Sequence, residues 1–214
     1  MLTLTNIKAS RIPNRVNLVF SDGSYLPFLT DDIIKLSLKK NQSIDNNLLT
    51  KITITSLTYL GTDYSLRQIA LSPKTEKILT HKLKLYFSRL KHKFILFSSV
   101  SISPIITDII SRLQSRQLLN PQDFINSFVN KNKSKSVAEI KFLLRQKGID
   151  TKDLTNFQFK NDLDAIKTIL AKKNLTPDIL TDFKQKQRLY TSFFRRGFQL
   201  SDINTAIDDF LSLK

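Results

Sequence analysis

The feature that most constrains the fold of this chain is an internal repeat of two helix ends. Residues 140–149 (IKFLLRQKGI) and 189–198 (LYTSFFRRGF) lie 49 positions apart, and their apolar, basic and glycine positions align in step. A fainter third copy over 72–83 has leucines at the aligned apolar positions, but Phe87 stands where the other copies have glycine. A period of this size indicates a supersecondary unit that cannot bury its apolar face alone and must stack on its neighbours.

The spacing of apolar residues predicts helices beyond about residue 46. Residues three or four positions apart share one helix face. Such stripes occur at 102–113, 124–129, 137–144, 163–170, 189–194 and 200–211. Gly148 and Gly197 each follow a basic helix end, which predicts left-handed C-caps. The segment 46–70 is the least regular, because the β-branched run 52–55 and Gly61 interrupt its pattern.

The first 45 residues predict a small β element with one helix. The runs Arg15–Phe20 and 25–28 flank Asp22-Gly23, a dipeptide typical of tight hairpins. An earlier strand at about Leu2–Ala9 can pair with this hairpin, and a capped helix is expected to begin at Thr30. The segment is expected either to cap the hydrophobic end of the helices or to bind a partner.

Together these patterns predict a mainly α fold in which tandem three-helix repeats form an elongated, curved array. A small N-terminal segment that contains a β-hairpin, 1–45, precedes the array. We expect the first repeat at 46–117, the second at 118–158 and the third at 159–214. Such an array suits a protein that lies along a polymer better than one that encloses a small substrate.

The positive charge of the chain is concentrated in its middle. The formal net charge is +16, and residues 67–147 hold 16 basic against four acidic residues, whereas residues 148–214 hold 11 against nine. A field of this kind speeds association with polyanions and makes binding salt-dependent. Compositional drift would enrich lysine everywhere and would not spare the last third. The distribution therefore favours nucleic acid, or a partner coated with it.

Cysteine usage and hydropathy indicate a reducing compartment and no membrane. The chain has no cysteine, which excludes disulfides, thiolate catalysis and cysteine-based zinc sites. No basic segment followed by a long apolar run begins the sequence, so no signal peptide is expected. The most apolar stretch, 94–107, is shorter than the roughly 20 residues of a membrane helix. We therefore expect a cytoplasmic protein.

Few residues offer the convergent chemistry that an enzyme needs. The candidates are the two histidines, His81 and His92, and the near pairs Asp162/Asp164 and Asp208/Asp209. The histidines lie among lysines, and paired aspartates at these spacings do not face the same way on a helix, so we expect solvated side chains. No glycine-rich loop can cradle phosphates. The phenylalanines have the helix spacing of core stripes, so we expect them to pack in the core rather than to stack on bases. We predict no enzyme activity, no metal and no cofactor.

Motifs in three places share one order and spacing. The first is 75–83 (TEKILTHKL), and the third is 193–198 (FFRRGF) with an amphipathic helix behind it. The second runs from 118–120 (LLN) through a basic turn at 131–135 to 144–149 (LRQKGI). In this order the motifs resemble the three tandem three-helix modules of the RecX family, and the N-terminal RVNLVFSDG is similar to a β segment in one branch of that family.

This resemblance implies a non-enzymatic regulator that binds in the groove of a RecA–DNA filament. It implies contact with adjacent RecA protomers and with single- or double-stranded DNA. The expected effect is to restrain filament growth, RecA ATPase activity and strand exchange, in homologous recombination, DNA repair and the SOS response. We expect the protein to act as a monomer.

Seven basic residues are the candidate contacts with RecA or DNA. They are Lys131, Lys133, Lys135, Arg145, Lys147, Arg195 and Arg196. The three lysines of 131–135 lie in a tight turn between helices, where three cations can face one run of phosphates. The other four lie near the ends of the two repeated helices, where they can equally serve to stabilise the helix dipole.

Two other functions stay open from the sequence alone. A helical DNA- or RNA-binding module without a RecA partner would bind bare duplex with a strong salt dependence. A metal-dependent nuclease would need Mg²⁺ held by convergent acids, and the acids of this chain are scattered.

Overall fold

The structure is a computed structural model that describes residues 2–173 and 182–212. These residues form a small antiparallel sheet followed by helices, which confirms the predicted mainly α fold with an N-terminal β segment. The chain divides into two compact units, Met1–Leu119 and Asn120–Lys214. In the described part of the chain, no helix is both long and apolar enough to cross a lipid bilayer.

The first unit contains a sheet that includes the predicted hairpin. Its strands are β1 Leu2–Ala9, β2 Arg15–Phe20, β3 Tyr25–Leu29 and β4 Gln42–Ile44. All neighbours are antiparallel, in the order β3-β2-β1-β4. The hairpin turn joins β2 to β3 because Gly23 takes φ +80° and the Asp22 carboxylate accepts hydrogen bonds from the backbone N–H and hydroxyl of Ser24. Strand β4 was not predicted.

The helices of the first unit share one hydrophobic core with the sheet. They are α1 Thr30–Lys35, α2 Asn46–Leu71, α3 Glu76–Lys93 and α4 Ile102–Ser115, with a 3-10 turn at Ile95–Ser99. Leu18 and Phe28 of the sheet and Leu83 of α3 are fully buried in this core. The buried Ser56 hydroxyl of α2 donates to the Pro27 carbonyl at 2.6 Å, which holds α2 against β3.

Helix α2 continues without a break through Gly61 and the β-branched run 52–55. A Cβ at position 61 would lie 2.6 Å from both Phe87 Cζ and Ile109 Cδ1. Glycine is therefore the residue that lets α3 and α4 approach α2 closely. Ile52 is fully buried, and burial of this kind outweighs the small helix-propensity penalty of β-branched residues.

The described residues of the second unit form helices joined by turns and loops. Its helices are α5 Pro121–Lys131, α6 Val137–Gln146, α7 Thr151–Thr155, α8 Asp162–Lys172, α9 Phe183–Arg195 and α10 Leu200–Ser212. Gly148 and Gly197 have φ +86° and +81° at the ends of α6 and α9. These values confirm the predicted left-handed C-caps.

Helices α8, α9 and α10 enclose the main core of the second unit. Ile166, Ile203 and Ile207 are fully buried there, and the rings of Phe193 and Phe198 meet edge to face at 5.6 Å between centroids.

The predicted repeat ranges can be compared with the helices. Residues 46–117 hold α2 to α4, 118–158 hold α5 to α7, and α8 to α10 fall within 159–214. The compact units divide between Leu119 and Asn120. The three-repeat division and the elongated, curved array stay predictions.

Candidate functional site

The predicted basic turn joins α5 to α6. Lys131 ends α5 and is exposed, and Lys133 is exposed in the turn itself. Lys135 is only partly exposed and forms an ion pair with Glu139 of α6. The turn thus presents two outward-facing cations, whereas the charge of the third is partly neutralised within the protein.

A buried serine joins this basic turn to the end of α9. The Ser136 hydroxyl accepts a hydrogen bond from the Glu139 backbone N–H at 3.1 Å, as N-cap of α6, and donates to the Arg196 carbonyl at 2.6 Å. Ser136 is fully buried. A Cβ at position 197 would lie 3.2 Å from the Ser136 Oγ atom, so glycine is suited to this close approach. The contact brings Arg195 and Arg196 beside the 131–135 turn.

Asp162 supports the same junction from the first turn of α8. Its carboxylate accepts a hydrogen bond from the Val137 backbone N–H at 2.7 Å, so a second acceptor serves the start of α6. Partial burial raises the pKa of the Asp162 carboxyl; the hydrogen bond from Val137 opposes this shift, and the charge of Asp202 adds to it. The prediction that Asp162 is a solvated charge was wrong in part, because its side chain is half-buried and binds the Val137 N–H at the start of α6.

A cavity beside this junction has a mixed electrostatic character. It has a volume of about 120 Å³, and Lys133 and Lys135 line it together with Asp162 and Asp164. The two aspartates offset part of the positive charge of the turn on this side. The outer side of the turn is therefore the part that can attract an anionic partner.

Arg145 and Lys147 lie at the other end of α6 from the basic turn. Helix α6 has 10 residues, which at about 1.5 Å per residue separates its two ends by roughly 15 Å. Arg145 is exposed, whereas the Lys147 ammonium lies over the Phe128 ring of α5 at 5.7 Å from its centroid. The structure therefore groups Lys131, Lys133 and the 195–196 pair, and sets Arg145 and Lys147 apart from them.

An open groove along α9 contains basic residues that the sequence analysis missed. It has a volume of about 600 Å³ and is lined by Lys184, Gln187, Arg188, Thr191, Ser192, Arg195 and Arg196. Lys184 and Arg188 are new members, and only Arg195 and Arg196 were predicted candidates. Lys184, Arg188, Thr191 and Arg195 follow the i, i+4, i+7, i+11 spacing of one helix face. That spacing was the signal in the sequence that could have revealed them.

Three phenylalanines of the second unit are exposed, which corrects the prediction that the phenylalanines pack in the core. Phe142 of α6 is 58% exposed, and Phe183 and Phe194 of α9 are 76% and 70% exposed. Other phenylalanines follow the prediction, since Phe193 and Phe198 are buried. Two of the three exposed rings therefore lie on the helix that carries the basic groove.

The remaining polar candidates have no site geometry in the part of the chain described. His81 and His92 are both exposed on α3. Asp209 pairs with Lys167 across α10 and α8 at 2.8 Å, and Asp208 is exposed. Within residues 2–173 and 182–212, no three histidine or acidic side chains gather as metal ligands would.

Comparison with known proteins shows which domain the groove-bearing helix α9 is similar to. Residues 161–207 match the family model described as RecX, third three-helix domain, and this range includes all of α8 and α9. The chain is also 25% identical over 203 residues to the regulatory protein RecX of Bacillus subtilis (strain 168), an alignment that spans 91% of this chain and 71% of that protein. The chain resembles RecX proteins.

Solved structures agree with the RecX fold. A crystal structure of a regulatory protein RecX has a TM-score of 0.65 and 20% identity, covering 97% of this chain and all of that one. The structure of RecX from Lactobacillus salivarius has a TM-score of 0.55 and 23% identity, covering 74% of this chain and 98% of that one. The RecX fold therefore extends beyond the range of the family model.

Proposed function

We propose that this protein binds RecA and RecA–DNA filaments and inhibits RecA ATPase activity, strand exchange and filament growth, in DNA repair and the SOS response. The observation that carries the proposal is the RecX third-domain match at 161–207, which includes the basic groove of α9. The chain resembles a regulatory protein over nearly its whole length. Its expected compartment is the cytoplasm, it is expected to act as a monomer without a cofactor, and its role is regulatory rather than enzymatic.

The charge distribution gives the proposal a physical basis. A RecA–DNA filament is a long assembly that contains a polyanion, and the +16 net charge of this chain favours rapid encounter with it. Lys131, Lys133 and Arg195 are exposed, and the bond from Ser136 to the Arg196 carbonyl holds the end of α9 beside the start of α6. A protein that contacts neighbouring RecA protomers through such a surface can hinder the addition of protomers to the filament. It can also hinder their coordinated ATP turnover.

The test is ATP hydrolysis by RecA on single-stranded DNA, with filament lengths measured by electron microscopy. Added protein is expected to lower the turnover rate and to shorten the filaments in a dose-dependent way. Unchanged turnover and unchanged lengths at equimolar protein and RecA would contradict the proposal. A rise in turnover with longer filaments would retain RecA binding and reverse the direction of regulation.

The basic groove of α9 also favours a second function, a nucleic-acid-binding module that needs no protein partner. Such a module binds bare duplex with a steep salt dependence and leaves RecA turnover unchanged. Parallel titrations of duplex alone and of RecA–DNA filaments distinguish the two functions, because only the first proposal requires preference for the filament.

A further inference from the structure

The exposed side of α9 combines a row of cations with two uncovered aromatic rings. We define the α9 face as the basic row Lys184, Arg188 and Arg195 together with Phe183 and Phe194. All three basic residues are exposed, and the two phenylalanines are 76% and 70% exposed. A helix of a globular domain normally turns large aromatic side chains toward its core, so uncovered rings beside a cationic row indicate a binding surface.

The helix geometry places the cations in a line. Positions 184, 188, 191 and 195 fall within about 60° of one another around the helix, nearly opposite the core-facing positions of α9. With a rise of about 1.5 Å per residue, Lys184 and Arg188 are about 6 Å apart along the axis, and Arg188 and Arg195 about 10 Å. Thr191 lies between them and lines the same groove. The row is therefore a track of positive charge along the helix.

The two phenylalanines form a second row beside the first. Positions 183 and 194 are eleven residues apart, which is three turns of helix, so they lie on the same face, about 100° around the axis from the basic row. The side opposite the basic row is occupied by Leu189 and Phe193, both buried in the core. Phe194 is thus free of the core that its neighbour Phe193 helps to form.

The charge of the groove is of one sign. Lys184, Arg188, Arg195 and Arg196 line it, and no acidic residue does within the described residues. The nearby Asp182 is the N-cap of α9, and its carboxylate accepts a hydrogen bond of 3.0 Å from the backbone N–H of Lys184. The cations of the groove are therefore available to an external anion.

We propose that the α9 face binds a single-stranded nucleic acid, with phosphates on the basic row and bases stacked on Phe183 and Phe194. Cationic grooves with adjacent aromatic rings are the general means of binding such strands, since every unpaired base has a face that can stack. A duplex would engage the cations but conceals its base faces. An acidic peptide would match the charge but gives no reason for two separate uncovered rings. The inference deepens the proposed function and rests on it for the biological setting. Its test does not require RecA.

The experiment measures binding of the full chain to a fluorescein-labelled thymidine oligonucleotide by fluorescence anisotropy at several salt concentrations. The charge variant combines Lys184→Ala, Arg188→Ala and Arg195→Ala, and alanine preserves the helix. Its matched control combines Lys39→Ala, Lys40→Ala and Lys51→Ala, which removes three exposed cations from the first unit. The control therefore has the same net charge as the charge variant. The ring variant is Phe194→Ala, and its control is Phe142→Ala on α6, where the ring is 58% exposed.

The charge variant is expected to bind at least about tenfold more weakly than its control, and the slope of log K against log salt falls by about 2, since each lost phosphate contact on a single strand contributes roughly 0.7. Phe194→Ala is expected to weaken binding about tenfold with an unchanged slope, because base stacking on a ring is worth that order of magnitude. Phe194→Tyr retains the ring and restores affinity. For a duplex of equal length, Phe194→Ala should have no effect.

Two results would overturn the inference: a wild-type chain that does not bind the oligonucleotide, or α9 variants that bind as well as their controls. If the charge variant loses only its effect on RecA, the face contacts protein and the nucleic-acid inference is wrong. If the oligonucleotide results hold while RecA turnover is unchanged by the wild-type chain, the inference stands and the proposed function fails.

Discussion

The side chain of Ser136 and the main chain of Arg196 form a hydrogen bond of 2.6 Å that joins the start of α6 to the end of α9. The same hydroxyl caps α6 by accepting the backbone N–H of Glu139. One buried oxygen thus satisfies a helix start and a helix end, groups that are costly to bury without partners. The bond also places the basic turn beside the end of α9, where exposed Lys133 and Arg195 can act on one partner.

Ser136→Ala is expected to destabilise α6 by about 2 kcal/mol, since it removes an N-cap and leaves the Arg196 carbonyl without its donor. Hydrogen exchange of the α6 amides, read by mass spectrometry, measures this loss in the second unit alone. The control is Ser134→Ala in the same turn, with an expected change within about 0.5 kcal/mol. Equal exchange in both variants would show that the bond at Arg196 contributes nothing.

Gly197→Ala is expected to cost more stability than Gly23→Ala. Both glycines have a positive φ, +81° and +80°, so the backbone strain of an added Cβ is nearly the same, about 1–2 kcal/mol. At position 197 the Cβ also meets the Ser136 Oγ atom at 3.2 Å, whereas at position 23 it meets nothing within 4 Å. Thermal unfolding of both variants measures the difference. A larger loss for Gly23→Ala would contradict the close approach of Gly197 to Ser136.

Asp162→Asn is expected to gain stability relative to the wild type as the pH rises above the ordinary aspartate value of 3.8. The raised pKa means that the folded chain holds this proton more tightly than the unfolded chain. The contribution of Asp162 is therefore fully present below the unfolded value and is lost as the pH rises through the folded pKa. Asparagine has no such loss and keeps an oxygen for the Val137 N–H.

Urea titrations of the two proteins between pH 4 and pH 7 measure this trend in the free energy of unfolding. Asp164→Asn serves as the control, because it also removes a negative charge from the first turn of α8. A difference between wild type and Asp162→Asn that is constant with pH would contradict the partial burial of the carboxylate.

Local patterns in the sequence predicted the elements whose structure depends on a few neighbouring residues. The hairpin follows from Asp22-Gly23, because only the turn chemistry of adjacent residues is needed. The C-caps follow from Gly148 and Gly197 for the same reason. The order of the RecX-like motifs predicted the fold, because these motifs and the distances between them extend over most of the chain.

Features that depend on tertiary packing could not be predicted in this way. Strand β4 has three residues and exists because it pairs with β1. Gly61 weakens the local helix pattern, and its role is visible only when Phe87 and Ile109 are in place beside it. Asp162 is partly covered because the start of α6 lies beside the start of α8, and the exposure of Phe194 depends on which face of α9 meets the core.

Co-sedimentation with RecA filaments, formed with and without single-stranded DNA, tests the central claim most directly. The protein is expected to pellet with filaments on DNA at moderate salt, and the charge variant of α9 should pellet less than the Lys39, Lys40 and Lys51 control. A wild-type protein that stays in the supernatant while RecA pellets on DNA would contradict its role as a RecA-filament regulator.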